Sequence, residues 1–427
     1  MDSVTSATAG SPADPPPASR TGSSPDPATT APSRPPGETG GAASGEVGGA
    51  PSGVGGAGRA RLGGLDGIRG LAALFVVLHH CWLLSFPGFP ADTGPGWAGW
   101  LLYGHFAVVV FITLSGFSLA VSPARAGWRL GGVRRFARRR AWRILPPYWA
   151  ALAFSLAVAW LLVPQPGQPV PTGRTVVVYG LLLQDVFGSP SPNGALWSIA
   201  VEAQLYFVFP LLLLLVRRLG AWAMAGAVTV VVAAVGVLAA SVPAVATLMR
   251  LTPQFAVLFA AGVLAAGVLR GRPRAFLHWA AAGAAVPVLV LIVVRGSVWT
   301  VANFFWVDLA LAPAAGLLLA AVACGRPRPL VRLLDTRPVR ALGSFSYSLY
   351  LVHAPIVVAL NHFLVAPLLG PGVARLLVLL AVAVPASVVF ARGFAAVCEL
   401  PFQRHRSAAA LRVAVRERLA AVRPKTG

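Results

Sequence analysis

Ten apolar segments, each long enough to cross a lipid bilayer, recur along the 427-residue chain. About 20 consecutive apolar residues in a helix span a hydrocarbon layer roughly 30 Å thick. A spanning segment must satisfy its own backbone hydrogen bonds, so these runs predict α-helices. We therefore expect an all-α, polytopic membrane protein with about ten transmembrane helices, at residues 67–86, 98–121, 144–163, 196–216, 221–240, 252–269, 276–294, 300–323, 343–364 and 373–397.

Arginine is distributed unevenly between the loops that join these segments. With the N-terminus placed inside, the cytosolic loops hold eighteen arginines and the outer loops hold four. Basic residues accumulate on the cytosolic side of membrane proteins. The distribution predicts that both termini are cytosolic and that the chain is a multi-pass protein of the inner (plasma) membrane. Because the net charge of +22 comes from clusters between apolar runs, it does not indicate nucleic-acid binding.

Three further segments complete the predicted organisation. Residues 1–58 are rich in Pro, Gly and Ser without apolar periodicity, which predicts a disordered cytosolic tail. Residues 59–403 form the membrane domain, and residues 404–427 form a basic cytosolic tail. Residues 176–188 are apolar but too short to span, so we expect a short outer-surface or re-entrant helix there.

The first apolar segment carries an arginine and a histidine on one helical face. Eleven residues separate Arg69 from His80, which is about three turns plus 20°, whereas His79 projects elsewhere. His80 lies roughly 16 Å deeper than Arg69, near the middle of the bilayer. Polar groups at that depth mark reaction centres, although a histidine that only hydrogen-bonds between helices is an equally ordinary alternative. Asp66 at the membrane edge can pair with Arg69.

Other segments supply polar residues at comparable depths. Glu202 follows a helix start by about 9 Å, and Tyr206 lies one turn further on the same face. His353 lies roughly 15 Å into its segment, which suggests a polar cavity shared with His80. Arg140 and Arg143 are one turn apart before a Pro-Pro kink and can hold the phosphates of a cytosolic ligand. The remaining candidates are Ser115, Trp197, Ser198 and Tyr347, of which Ser115 also fits close helix packing and Trp197 an interfacial belt.

The three cysteines are scattered, without disulfide or metal-ligand spacing. We expect no metal and no bound cofactor.

Five ordered motifs resemble those of the acyltransferase 3 family, integral-membrane O-acyltransferases that modify bacterial polysaccharides, lipo-oligosaccharides and macrolide sugars. The resemblance covers about residues 62–403. The motifs are residues 65–70 (LDGIRG) with His80, 114–117 (LSGF), 143–149 (RILPPYW), 197–202 (WSIAVE) with Tyr206, and 347–353 (YSLYLVH).

This resemblance implies acyl-CoA as donor, with acetyl-CoA favoured, and a carbohydrate or glycosylated acceptor. It implies that Arg69 and His80 are essential and that Arg140 and Arg143 lie on the donor side. Two positions depart from the family pattern. Ala203 stands where a second glutamate is frequent, which puts a paired-carboxylate mechanism in doubt, and Ala354 stands where tryptophan often follows the histidine.

Two mechanisms and one rival function remain open from the sequence. His80 can act as general base for an acceptor hydroxyl, since a histidine with an unperturbed pKa of about 6.5 is largely neutral at cellular pH. Alternatively, His80 accepts the acyl group covalently and passes it to the acceptor. The rival is a transporter or flippase of a lipid-linked or acylated saccharide, in which the intramembrane charges line a passage.

Overall fold

The computed structural model describes residues 62–271, 275–405, 407, 409–413 and 416–417, and within them every regular element is helical. The predicted N-terminal tail and most of the C-terminal tail lie outside the described residues. Sixteen α-helices follow one another: α1 Leu65–Ser85, α2 His105–Arg125, α3 Val133–Leu161, α4 Gly173–Gly180, α5 Gln184–Phe187, α6 Trp197–Leu219, α7 Ala221–Leu238, α8 Pro243–Ala246, α9 Gln254–Ala266, α10 Leu277–Ala302, α11 Phe304–Ala323, α12 Arg328–Leu334, α13 Arg337–Ser344, α14 Ser346–Leu360, α15 Val373–Phe394 and α16 Leu400–Arg404.

Nine helices in the described part of the chain are long and apolar enough to cross a membrane. A pair of helices, Pro243–Leu251 and Gln254–Arg270, is also apolar enough, and its two pieces are bent by 51° at the break between them; counted as one span, this pair brings the number to ten. The prediction of an all-α, polytopic membrane protein with about ten spans is confirmed. The segment predicted at residues 252–269 lies in the second piece of this bent pair.

The third span departs most from its predicted bounds, because its helix begins at Val133 rather than near residue 144. The basic run before the apolar segment is itself helical, since arginine is a good helix former. Pro146 and Pro147 lie inside this helix, and no break is assigned at them. The position of the predicted Pro-Pro kink therefore falls inside one helix of 29 residues.

The short apolar segment between the third and fourth spans also differs in detail. Two short helices, α4 and α5, replace the single one predicted at residues 176–188. Leu182, between them, adopts a left-handed backbone conformation with φ of 59°.

The buried side chains form two main clusters that divide the helices between them. One cluster is built mainly from α2, α6, α9 and α11, and the other from α1, α3, α14 and α15. The start of α1 packs very closely against α12 and α13. A Cβ atom added at Gly67 would lie 2.2 Å from the Leu334 carbonyl oxygen, and one at Gly343 would lie 2.0 Å from that of Asp66. Two of the glycines around the Asp66–Arg69 motif thus allow backbone contact between helices.

Candidate active site

A cavity of about 430 Å³ lies where α1, α2, α3 and α6 meet α13, α14 and α16. Nine of the twelve residues predicted as site residues line it. They are Asp66, Arg69, Ser115, Arg140, Arg143, Ser198, Glu202, Tyr206 and Tyr347. His80, Trp197 and His353 are not among the lining residues.

Arg69 is fixed at one wall of the cavity by two side chains. Its Nη1 donates to Asp66 Oδ1 over 3.1 Å, within the first turn of α1. Its Nη2 donates to Ser118 Oγ on α2 over 2.6 Å. The predicted pair of Asp66 and Arg69 is present, and Ser118 is a partner that the sequence did not reveal. The two contacts hold the guanidinium group at a fixed position beside the cavity.

Glu202 accepts two short hydrogen bonds from hydroxyl groups. Ser115 Oγ and Tyr206 Oη each donate to Glu202 Oε1 over 2.6 Å. The bond to Tyr206 joins residues four apart on α6, as their shared face predicts. Glu202 lies in the same cavity as Arg69 and Arg140, a proximity that the sequence did not reveal.

The two arginines of α3 reach the cavity from its basic end. The Arg140 guanidinium carbon lies 6.0 Å from the centre of the Tyr206 ring and 5.9 Å from that of Phe136. Arg143, one turn further along α3, is exposed but still lines the cavity. Tyr347 connects α14 to this part of α3, since its hydroxyl donates to the Ile144 carbonyl oxygen over 3.2 Å. The arginines of α3 thus form a basic end of the cavity, whereas over the whole lining three carboxylates, those of Asp66, Glu202 and Glu399, balance the three arginines.

His80 and His353 form a pair deeper in the protein, beyond the cavity. His80 Nδ1 lies 3.2 Å from His353 Nε2, and the ring centres are 4.8 Å apart. His353 is fully buried, with its ring centre 6.0 Å from that of Tyr350, which lines the cavity. The predicted association of the two deep histidines is thus present as a direct contact between their rings.

The partners of the two rings determine where their protons lie. His353 Nδ1 is 3.1 Å from the Leu349 carbonyl oxygen and 2.8 Å from that of Tyr350, and a carbonyl can only accept. His353 Nδ1 is therefore protonated, and its Nε2 presents a lone pair to His80. By the same argument His80 Nδ1, 2.9 Å from the Val76 carbonyl oxygen, carries a proton.

His80 Nε2 is consequently left with a free lone pair. That nitrogen faces the loop before α6, because a Cβ atom added at the exposed Gly194 would lie 3.6 Å from it. His79 differs: its Nδ1 lies 2.9 Å from the Leu101 carbonyl oxygen and its ring packs on Gly104. The helical-face argument that separated the two histidines agrees with these contacts.

Trp197, predicted as a substrate-binding residue, lies in a different cluster. Its ring stacks at 6.3 Å on His105, whose Nε2 lies 2.9 Å from each carboxylate oxygen of the fully buried Asp308. The ring also lies 5.8 Å from that of Phe255. Trp197 thus packs around a buried histidine–aspartate pair and does not line the cavity.

Two cavity residues near the end of α15 were missing from the predicted site. Glu399 is 3% exposed and accepts hydrogen bonds from Ser348 Oγ and from Gln403 Nε2. Both Glu399 and Gln403 line the cavity. The sequence feature that indicates Glu399 is the rarity of acidic residues in the apolar segments. This feature does not predict which side chains hydrogen-bond to Glu399.

The outer segment is attached to the site through α6. Gln204 Nε2 donates to Asp185 Oδ2 on α5 over 3.1 Å. Burial raises the pKa of Asp185 to about 6, and the hydrogen bond from Gln204 opposes that rise. Within the described residues, no group of three or more His, Cys, Asp or Glu side chains is placed to hold a metal ion.

The apolar spans surround a polar cavity and, deeper in the protein, a pair of histidines. This arrangement defines a multi-pass membrane protein with a buried polar site. A family model described as an acyltransferase domain matches residues 62–392, so the chain belongs to the acyltransferase 3 family. This agrees with the resemblance carried by the five motifs.

Several curated proteins are similar to the chain. It is 27% identical over 324 residues to YrhL of Bacillus subtilis (strain 168), provisionally named a peptidoglycan O-acetyltransferase, covering 69% of this chain and 48% of YrhL. It is 30% identical over 335 residues to acyltransferase MdmB of Streptomyces mycarofaciens, covering 72% of this chain and 81% of MdmB.

The chain is also 30% identical over 191 residues to nodulation protein 10 of Rhizobium leguminosarum bv. viciae, covering 40% of this chain and 48% of that protein. It thus spans about half the length of YrhL and of nodulation protein 10. No solved structure gives a significant match.

Proposed function

We propose that this protein is an O-acyltransferase of the plasma membrane that moves an acyl group, in the first instance acetyl, from acyl-CoA to a hydroxyl group of a carbohydrate acceptor. The observation that carries the proposal is the free lone pair on His80 Nε2, maintained by the contact of His80 with His353. An acyl transfer to an alcohol needs a base or nucleophile of this kind.

The donor fits the basic end of the cavity. Arg140 and Arg143 supply guanidinium groups that bind phosphate in a bidentate manner, whereas Arg69 is already paired with Asp66. His80 lies roughly 16 Å beyond Arg69 along α1, so the donor must carry its acyl group on a long arm. CoA has this form, with phosphates at one end and a thioester at the end of an extended pantetheine arm.

In the direct mechanism His80 Nε2 takes the proton of the acceptor hydroxyl. The hydroxyl oxygen then forms a bond to the thioester carbonyl carbon, and the C–S bond breaks. The CoA thiolate leaves with the electron pair and receives the proton from His80. His353 Nε2 accepts from His80 Nδ1–H throughout, which stabilises the imidazolium as it forms.

In the covalent alternative His80 Nε2 attacks the thioester carbonyl carbon itself. The C–S bond breaks and an acyl-imidazole forms, with the Nδ1 proton passing to the CoA thiolate. The oxygen of an acceptor hydroxyl then forms a bond to the acyl carbon, the C–N bond breaks, and the hydroxyl proton passes to the imidazole of His80, which restores its neutral form. Gly194, in the loop before α6, is exposed and lies beside His80 Nε2. An acceptor that approaches from this loop, and not through the cavity, meets the acylated nitrogen directly, which favours the covalent alternative.

A carbohydrate acceptor is supported by the names of similar proteins, since YrhL and the Listeria monocytogenes protein OatA are both named for O-acetylation of peptidoglycan. The Listeria protein is 26% identical over 163 residues, covering 35% of this chain and 24% of OatA. The competing function, transport without acyl transfer, predicts that the purified protein releases no CoA from acyl-CoA in response to a carbohydrate acceptor.

The decisive experiment measures CoA release from acetyl-CoA by the purified protein, with and without carbohydrate acceptors. We expect His80→Ala to abolish acceptor-dependent release of CoA. His79→Ala should retain this release, although it loses the hydrogen bond between His79 Nδ1 and the Leu101 carbonyl oxygen. Equal loss in two well-folded variants would overturn the role of His80. Acetyl-CoA without acceptor separates the mechanisms, because only the covalent one leaves an acetyl group on His80 that mass spectrometry can detect.

A further inference from the structure

A second and larger cavity, of about 1440 Å³, opens beside α7, well away from the catalytic histidines. Its floor is α9, one wall is α7, and the other wall is formed by α11 and the start of α10. Its volume exceeds the roughly 300–1,000 Å³ of ordinary small-molecule pockets. We call this space the α7 groove; none of its lining residues lines the cavity that holds Arg69 and Glu202.

The α7 groove remains open because α7 buries little of its surface. Only Met224 and Val232 of this helix are buried. On the groove side Ala225, Gly226 and Thr229 present small side chains, and a Cβ atom added at Gly226 would meet nothing within 4 Å. The interior is thus apolar and unfilled, with dimensions suited to hydrocarbon chains rather than to a polar molecule.

The mouth of the groove is positively charged. Arg129, Arg217 and Arg270 line it and are exposed, and no carboxylate is among the lining residues. None of the three arginines forms an ion pair with a carboxylate in the part of the chain that the structure describes. Three guanidinium groups around one opening, without a carboxylate among the lining residues, favour an anionic ligand.

An exposed tryptophan places this opening at the membrane surface. Trp222, at the start of α7, is 77% exposed and lines the groove together with Arg217, whereas Trp128 is 6% exposed and belongs to the packed wall. Tryptophan concentrates at the level of the lipid headgroups. The three arginines of the groove therefore lie at the level of the lipid headgroups. This is the end of the helices that the arginine distribution predicts to be cytosolic. The apolar part of the groove lies at the depth of the lipid acyl chains.

We propose that the α7 groove binds one anionic glycerophospholipid, with its phosphate among Arg129, Arg217 and Arg270 and its acyl chains along Ala225, Gly226 and Thr229. Basic pockets between transmembrane helices bind anionic headgroups in this way. A zwitterionic phospholipid offers the same chains but no net charge, so charge complementarity selects the anionic class. The site is independent of acyl transfer, because it shares no residue with the catalytic centre.

The test is native mass spectrometry of the full-length protein in neutral detergent, with phosphatidylglycerol or phosphatidylcholine added at equal concentration. We expect the protein to retain phosphatidylglycerol at least about tenfold better, with a further loss of roughly tenfold for each of Arg129→Gln, Arg217→Gln and Arg270→Gln. Arg218→Gln is the matched control, since Arg218 is exposed beside Arg217 but does not line the groove.

A second variant separates the groove from simple surface charge. Gly226→Leu fills the apolar part and leaves all three arginines in place, so retention should fall as far as in the arginine variants. Leucine is also the better helix former at this position, which protects the fold. Equal retention of the two lipids, or full retention by Gly226→Leu, would overturn the proposal. Preferential retention of an added polyprenyl phosphate over phosphatidylglycerol would overturn the glycerophospholipid assignment.

Discussion

At the scale of single residues, the contact between His353 and His80 defines the surroundings of the imidazole that we propose to react. His353 is itself held by two carbonyl oxygens of its own helix, so its orientation is determined before any substrate binds. In the proposed mechanism His353 acts through His80, as a positioning residue. Its loss should affect turnover rather than donor binding.

We expect His353→Gln to lower kcat about ten- to hundredfold while leaving KM for acyl-CoA within about twofold. The effect is limited because the Val76 carbonyl still accepts from His80 Nδ1, so one hydrogen bond to a charged ring, worth about 1.5–3 kcal/mol, is lost. Steady-state kinetics on the purified variant measure the split. A rise in KM with kcat unchanged would contradict the positioning role.

The arginines of α3 lead to the opposite expectation. Arg140→Gln and Arg143→Gln should each weaken acyl-CoA binding roughly ten- to hundredfold, because each removes a charge-assisted phosphate contact worth about 1.5–3 kcal/mol. Isothermal titration with a non-hydrolysable acyl-CoA analogue measures this directly. Arg139→Gln serves as the control, being an exposed neighbour that does not line the cavity. Unchanged affinity for the analogue in both variants would contradict phosphate binding by Arg140 and Arg143, and would indicate that the arginines of α3 only anchor the protein at the membrane surface.

At the scale of helices, the start of α1 is positioned by close backbone contact as well as by side chains, since Asp335 Oδ1 accepts a hydrogen bond from the backbone N–H of Gly64. Gly67 faces the carbonyl oxygen of Leu334 so closely that no Cβ atom fits between them. Arg69 and Asp66 lie in the same turn, so the position of this turn decides where the guanidinium group enters the cavity. Close packing and the site are thus coupled at one end of α1.

We expect Gly67→Ala to lower the stability of the purified protein by about 1–3 kcal/mol, because inserting a methyl group into a filled contact displaces backbone. Gly283→Ala is the matched control: Gly283 lies within α10, and an added Cβ atom meets nothing within 4 Å. That control should be neutral or slightly stabilising, since alanine is the better helix former. Thermal unfolding of both variants in one detergent decides the matter, and equal melting temperatures would contradict the packing argument.

At the scale of the whole molecule, the basic end of the cavity and the Nε2 atom of His80 face different ends of the helix bundle. Arg140 and Arg143 lie near the end of α1 that carries Arg69, whereas His80 Nε2 faces Gly194 in the loop before α6. If the arginine-rich end is cytosolic, the donor enters from the cytosol and the acceptor can reach His80 from the other side. The orientation of the chain therefore bears directly on the mechanism.

We expect Arg218→Cys to react with a membrane-impermeant maleimide only after cells are opened, and Gly173→Cys to react in intact cells. Both positions are exposed and lie at opposite ends of the helices. The background replaces the native cysteines Cys81, Cys324 and Cys398 by alanine. The reverse labelling pattern would invert the topology and move the donor site to the outer surface.

The sequence by itself determined the helical class and the approximate number of spans, and it singled out nine of the residues that line the cavity. Each of these depends on local information: the length of an apolar run, the spacing of residues on one helix, or the rarity of a charge in a span. Asp66 with Arg69, and Glu202 with Tyr206, are neighbours on one helix and were paired for that reason.

Only the tertiary structure decided which helices meet, because contacts between distant segments depend on packing that no local pattern encodes. His80 and His353 are 273 residues apart, and Ser115 and Glu202 are 87 apart. Packing also placed Trp197 against the buried pair of His105 and Asp308 instead of in the cavity. Hydropathy fixes how deep a residue lies, whereas the close approach of helix backbones fixes what it touches.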